Sequence, residues 1–321
     1  MVETIGNTWM WLGFSAFVIV ALAVDLLVLG KKQGQKVSAK EAAIWSLIWV
    51  SFSFVFAGLL WWYLNENFDS AFAKLKTTEF LTGYLIEKSL SVDNIFVFLM
   101  IFTFFAVPAE IQRRALVIGV IGAIILRVIM ILIGAWLVAQ FHWILYVFGA
   151  FLLGTGVKML IFADAESDLN SNPLLKFIRK QVKLTDDFQG EKISVIKNGA
   201  RYFTPLFVVI AMIAITDIVF AVDSIPAVFA ITQDPFIVMT SNIFAILGLR
   251  ALYFLLADLA ARFHLLSYGL ALVLVFVGTK MLIVDFYKIP VFVSLGVVGA
   301  ILLTAVLLSW FTKPKVKTAS S

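Results

Sequence analysis

The chain has 321 residues, of which 62% are hydrophobic and only 14% charged, with a formal net charge of +5. This composition excludes a soluble globular domain, because most of any globular surface must face water. The absence of cysteine excludes disulfides, thiolate nucleophiles and thiolate metal sites.

Apolar runs of about 20 residues, the length a helix needs to cross hydrocarbon, recur from end to end. They predict an all-α polytopic membrane protein of about nine transmembrane helices, near 8–29, 42–64, 79–104, 115–138, 143–163, 204–231, 237–257, 264–284 and 289–311. The ten-residue alternating stretches of a membrane barrel are not seen. Met1-Val2-Glu3-Thr4 lacks the positive n-region and cleavage site of a signal peptide, so the first run is expected to be retained as a span. Asp25 lies near the inner end of that span, where snorkelling and a functional role both fit. Trp61 and Trp62 suit an interfacial aromatic belt.

The loops carry an orientation signal. Alternate loops hold 17 Lys and Arg on one side and only Lys74, Lys76 and Lys288 on the other. Cytoplasmic loops carry the positive excess, so the N-terminus is expected outside and the C-terminus inside. The same placement accounts for the net charge without nucleic acid. The longest loop, 164–203, is therefore expected in the cytoplasm, as is the basic tail 312–321. Within the loop, Pro173 to Leu184 interleaves apolar and basic residues as an amphipathic helix on an anionic leaflet would. Asn198-Gly199 between strand-like runs predicts a hairpin turn. Asp186, Asp187 and Glu191 are expected to be surface charges.

Ionisable groups at membrane depth are costly and face a pathway or a partner. The third span carries Glu87-Lys88-Ser89-Leu90-Ser91-Val92-Asp93-Asn94-Ile95, and the sixth carries Asp217-Ile218-Val219-Phe220-Ala221-Val222-Asp223-Ser224-Ile225-Pro226. Both contain an acid, five residues, a second acid and a small polar residue. Downstream, Arg127 matches Arg250, and Gly156-Val157-Lys158-Met159-Leu160 matches Gly278-Thr279-Lys280-Met281-Leu282. Spans three to five (79–163) and six to eight (204–284) thus form a duplicated unit within a single transmembrane domain, 1–321. Three helices per copy force the second copy to be inverted, an architecture of secondary transporters.

The candidate site residues are Glu87, Asp93, Asn94, Asp217, Asp223 and Ser224, with Ser89, Ser91, Pro226 and Asp25 as accessory candidates. Their oxygen-only donor set favours hard or borderline cations such as Mg, Ca and Mn. Pro226 is expected to loosen the helix beside Asp223, freeing carbonyls as further ligands. Four carboxylates around an empty site repel one another. Arg127 and Arg250 fit either structural counter-ions or a charge swap between loaded and empty states. Lys158, Lys280, His142 and His264 are expected to be interfacial or bland. The inverted topology places Asp93 and Asp223 together near the midplane, with Glu87 and Asp217 guarding opposite mouths.

The segments from Glu87 to Asn94 and from Phe220 to Pro226 strongly resemble those of the TerC family of bacterial membrane proteins, closest to its Alx branch. The resemblance runs from Asp25 to Tyr287. It implies a relative of the LysE-type transporters that exports manganese, with the acidic motif residues above as its metal site. It also links the chain to tellurium resistance and growth in alkali.

The leading expectation is a secondary transporter exporting Mn(II), with proton exchange as a candidate coupling and no permanently bound cofactor. The alternative is a non-transporting partner in an envelope, tellurium or alkaline stress response. No Gly-rich phosphate loop supports an ATP-driven pump, and no enzymatic activity is expected. Divalent metal and membrane lipid are the expected partners; the pattern does not set the oligomeric state.

Overall fold

The structure is a computed structural model that describes residues 4–30, 39–141, 143–161, 182–197, 200–257 and 265–312. The side chains of Asp25 and Asp93, His142, His264, most of the 173–184 segment and the tail beyond Thr312 lie outside the described residues.

Helices fill the positions that the apolar runs mark. They are α1 (Thr8–Gly30), α2 (Ala39–Asn67), α3 (Ser70–Phe104), α4 (Ala109–Gln140) and α5 (Ile144–Ile161), then, after a hairpin, α6 (Pro205–Phe229), α7 (Pro235–Ile246), α8 (Leu249–Ala257), α9 (Leu266–Leu282) and α10 (Val291–Phe311). The chain is thus a polytopic all-α membrane protein. Five helices are each long and apolar enough to cross a membrane, and the bent pair α7–α8 makes up to six among the described residues. Of the other three, α1 runs 23 residues, with its side chains described through Val24, α9 is 17 residues long, and α3 carries Glu79, Glu87, Lys88 and Asp93 along its length.

Local chemistry sets several of the helix ends. Asp69 caps α3 by accepting from the Phe72 N–H at 2.9 Å, and Asp234 caps α7 by accepting from the Phe236 N–H at 2.9 Å. Pro205 and Pro235 stand at first-turn positions, where a missing N–H costs nothing.

α3 and α6 pack against one another in the middle of the bundle. They run antiparallel: Thr232, just past the end of α6, bonds Glu79 near the start of α3, and Gly83 lies against Val228. Packing also joins α3 to α7, α4 to α6, α4 to α7, and α5 to α9. Two separate apolar clusters result. One contains Phe80 and Leu90 of α3 with Ala221 to Phe229 of α6, and includes Phe14, Phe236 and Phe244. The other contains Ile95 to Phe102 of α3 with Leu206 to Ile213 of α6, and includes Tyr253. Between them, from Ser91 to Asn94 on α3 and around Asp217 on α6, the interior is polar.

The expected hairpin is present. β1 (Ser194–Lys197) pairs antiparallel with β2 (Ala200–Phe203), Lys197 opposite Ala200, which leaves a two-residue connection. Val182, Leu184, Phe188 and Ile193 pack it against the second apolar cluster. Glu191, expected as plain surface charge, accepts from Arg114 of α4 at 2.8 Å.

Helix loosening was expected at Pro226; α6 is continuous through it from Pro205 to Phe229, although the proline has no N–H to offer the Val222 carbonyl. The sharp break lies instead between α7 and α8, bent by 41°. Gly248 makes that break with φ +82, and a Cβ there would stand 2.6 Å from the Trp49 ring. Glycine alone meets both demands without strain.

Candidate functional site: a buried guanidinium between two carboxylates

Arg127 comes from the middle of α4. Close approach of helix backbones delivers it: a Cβ at Gly119 or at Gly134 would stand 2.8 Å from Ile213 or Phe229 of α6. These glycines bracket Arg127 and let α4 lie tightly on α6, so the guanidinium enters the polar layer.

There it pairs through Nη1 with Oε1 of Glu87, and Nη2 donates to Oδ1 of Asp217 at 3.3 Å. Nη1 also donates to Ser224 Oγ and Asn242 Oδ1, each at 3.4 Å. Glu87, Asn242 and Arg127 are fully buried, and Asp217 and Ser224 are 1% exposed. Four helices, α3, α4, α6 and α7, therefore meet at one guanidinium. A buried ion is tolerated only when paired and hydrogen-bonded, and Arg127 meets that condition twice over.

The cluster is not fully satisfied. Oε2 of Glu87, Oδ2 of Asp217, Oγ of Ser91 and both amide atoms of Asn94 are buried without a hydrogen-bond partner. Ser91 and Asn94 are buried completely and follow Glu87 at i+4 and i+7, on the same helix face. Buried polar atoms are normally paired. These carboxylate, hydroxyl and amide oxygens are spread along one face of α3 and the facing part of α6, Ser91 and Asn94 lying about 6 and 10.5 Å along the axis from Glu87 at 1.5 Å per residue. One guanidinium against two carboxylates also leaves a net negative charge. Among the described residues no group of three or more His, Cys, Asp or Glu stands ready to hold a metal. The donors present fit a hard cation in kind, while Arg127 holds the place between the two acids.

The arrangement corrects several expectations. Glu87 and Asp217 share one guanidinium, so they cannot guard opposite mouths; they form the centre. Asp93 and Asp223 each lie six residues further along their helices, about 9 Å at 1.5 Å per residue, in opposite directions because α3 and α6 are antiparallel. Asp223 is partly buried and has Thr155 and Lys158 of α5 as polar neighbours; the side chain of Asp93 lies outside the described residues. Ser89 donates to the Leu85 carbonyl at 2.6 Å and is bound to its own helix. Lys280, expected at an interface, is only 8% exposed and lies near Glu79. Arg250 is buried two residues beyond the break, whereas Arg127 makes the central contacts.

Asn242 is the site residue that the sequence motifs missed. Its one signal is the polar run Thr240-Ser241-Asn242 inside an apolar span, all three residues fully buried.

A family model described as "Integral membrane protein TerC family" matches residues 72–317, a stretch that contains the whole cluster. The chain belongs to the TerC family. Relatives align over nearly the full length. The Escherichia coli K12 protein named "Putative membrane-bound redox modulator Alx" is 54% identical over 96% of each chain. An uncharacterized membrane protein of Myxococcus xanthus is 47% identical over 93% of this chain and 91% of its own, and one of Rickettsia felis is 42% identical over 94% and 98%. No solved structure matches. This TerC family protein thus carries its buried arginine–carboxylate cluster within the part that defines the family.

Proposed function

We propose that this TerC family protein is a secondary transporter that exports a divalent cation, Mn(II) by preference, from the cytoplasm. The observation that carries this reading is the shared guanidinium. Arg127 lies where a cation would bind between Glu87 and Asp217, and the spare oxygens of Ser91 and Asn94 follow Glu87 along the same face of α3. A tethered positive charge keeps the pair of acids stable between cargo loads. An arriving divalent ion exchanges with it, using the carboxylates, Ser224 and Asn242 as hard ligands. Asp93 and Asp223, displaced along the two helices in opposite senses, serve as stepping stones toward the two faces.

Packing supports the inverted-repeat reading. Exchanging α3, α4 and α5 for α6, α7–α8 and α9 maps the α3–α7 contact onto α6–α4 and α5–α6 onto α9–α3, and leaves α3–α6 and α5–α9 self-paired. Two units related by a twofold axis in the membrane plane would give such a pairing. The excess of loop Lys and Arg at the hairpin end supports a cytoplasmic position for it.

The name of the Escherichia coli relative points to redox modulation. With no cysteine in the chain, a thiol–disulfide relay would have to be a partner's, whereas a cation centre belongs to the chain itself. Purified protein in liposomes holding a Mn(II)-sensitive dye tests the proposal. Glu87→Gln and Asp217→Asn should each lower flux by about tenfold or more while inserting normally. Absence of any divalent flux in the wild type sinks the transport reading; wild-type flux in both variants places the cation route elsewhere.

A further inference from the structure

The residue next to Glu87 is bound to the break in the neighbouring span. The last carbonyls of a helix have no partner within it, and at the end of α7 they are deep in the protein, with Ala245 and Ile246 fully buried and Leu247 2% exposed. The Lys88 ammonium meets them: Nζ donates to the Ala245 carbonyl at 3.0 Å and to the Leu247 carbonyl at 3.4 Å. A cation at a helix C-terminus is also favoured by the helix dipole.

The contact has consequences on both sides. Successive residues of a helix point about 100° apart, so one turn of α3 reaches Arg127 with Glu87 and the α7–α8 break with Lys88. On the other side, α7 presents Asn242 to Arg127 before the break, and α8 carries Arg250 just beyond it. The angle at Gly248 therefore sets where those two side chains stand.

We propose that Lys88 is a positioning residue that latches the α7–α8 break to the cation centre, so that occupancy at Glu87 is transmitted to the angle at Gly248. The inference rests on the transport reading. In this latch, displacement of Arg127 from Glu87 shifts or rotates this turn of α3. The Lys88 bonds shift with it, releasing or re-aiming the carbonyls of Ala245 and Leu247. The broken span then moves as cargo binds, which couples loading to opening. A lysine that merely satisfied two carbonyls would affect stability and leave this coupling untouched.

The test compares Lys88→Met, Lys88→Arg and wild-type protein, full length, in two assays. Calorimetry measures equilibrium Mn(II) binding in detergent; dye-loaded liposomes measure Mn(II) flux. The latch predicts that K88M binds Mn(II) within about threefold of wild type while its maximal flux falls about tenfold at little-changed half-saturation, a kcat-type loss. K88R, which keeps a cation for the carbonyls, should recover most of the flux. If K88M is too unstable to purify, Lys88→Gln, which keeps an uncharged donor, is read in the same two assays. Flux equal to wild type in the uncharged variant overturns the latch, as does a parallel fall in binding and flux. Failure of the transport reading itself looks different: wild-type protein then neither binds nor moves the ion.

Discussion

Arg127 shows how a single buried side chain sets the chemistry of its surroundings. Its removal would leave Glu87 and Asp217 facing each other with no counter-charge, a penalty of about 3–5 kcal/mol for a broken buried pair. Arg127→Gln should therefore unfold at markedly lower temperature in the absence of metal. Added Mn(II) should restore part of that loss, because a divalent ion takes over the neutralising role. Equal destabilisation with and without Mn(II), followed by thermal unfolding in detergent, would assign Arg127 to packing alone. Asn242 is a neutral acceptor to the same guanidinium, so Asn242→Ala should act more gently, weakening apparent Mn(II) affinity without abolishing flux. Titrating flux against Mn(II) concentration checks this, and an unchanged half-saturation would remove Asn242 from the cation site.

At the scale of elements, the tightest helix pair is α5 with α9, and it is built on glycine. A Cβ at Gly278 would stand 2.6 Å from the Leu153 backbone nitrogen and 2.8 Å from the Gly149 carbonyl oxygen, atoms that cannot swing aside. Small residues at such crossings let membrane helices approach closely enough to gain van der Waals contact. Gly278→Ala should force α5 and α9 apart at about 1–3 kcal/mol, the usual cost of overpacking. Gly154 is the internal control: it is on α5, the other helix of the pair, and a Cβ there would meet nothing within 4 Å. Gly154→Ala should be neutral or slightly stabilising, since alanine is the better helix former. Equal unfolding temperatures for both variants would contradict the close packing. The α6 and α7–α8 spans divide their roles in a related way. Pro226 is absorbed in a continuous helix, and Gly248, with its positive φ against Trp49, makes the bend.

For the whole molecule, two apolar clusters lie along the bundle axis with one polar layer between them. In this layout apolar packing closes the polar layer off at both ends. Cysteine labelling is clean because the chain has none of its own. Positions Glu66, in the last turn of α2, and Asp187, beside the hairpin, are both exposed and suit single cysteines. They should react with an impermeant reagent from opposite sides, Glu66→Cys from outside in intact cells and Asp187→Cys in inside-out vesicles. Cysteines at 87 and 217 should resist the reagent from both sides in the metal-free state. Labelling of the Glu66 and Asp187 positions from the same side would overturn this topology, and labelling with the two sides exchanged would reverse it.

Much of this protein is legible in its sequence, and the division follows the range of the interactions. Apolar runs of spanning length and the asymmetry of loop charge are properties of consecutive residues, so membrane class, helix positions and the Asn198-Gly199 hairpin signal need no partner to be seen. The acid motifs and their matched Arg and Lys are also visible, because charge inside hydrocarbon is conspicuous wherever it falls. Which charges meet is another matter. Glu87 and Asp217 are 130 positions apart, and only the antiparallel passage of α3 and α6, with Arg127 pressed in by the Gly119 and Gly134 contacts, brings them to one guanidinium. Motif order pointed to Asp93 and Asp223 as the central pair, and the tertiary structure gives that place to Glu87 and Asp217. Lys88 and Asn242 took on meaning only once α7 ended beside α3, because an orphaned carbonyl and a third-helix acceptor exist only in the packed bundle. Sequence fixes what each helix carries across the membrane; packing decides which charges share a partner, since pairing at low dielectric depends on ångströms that no local pattern encodes.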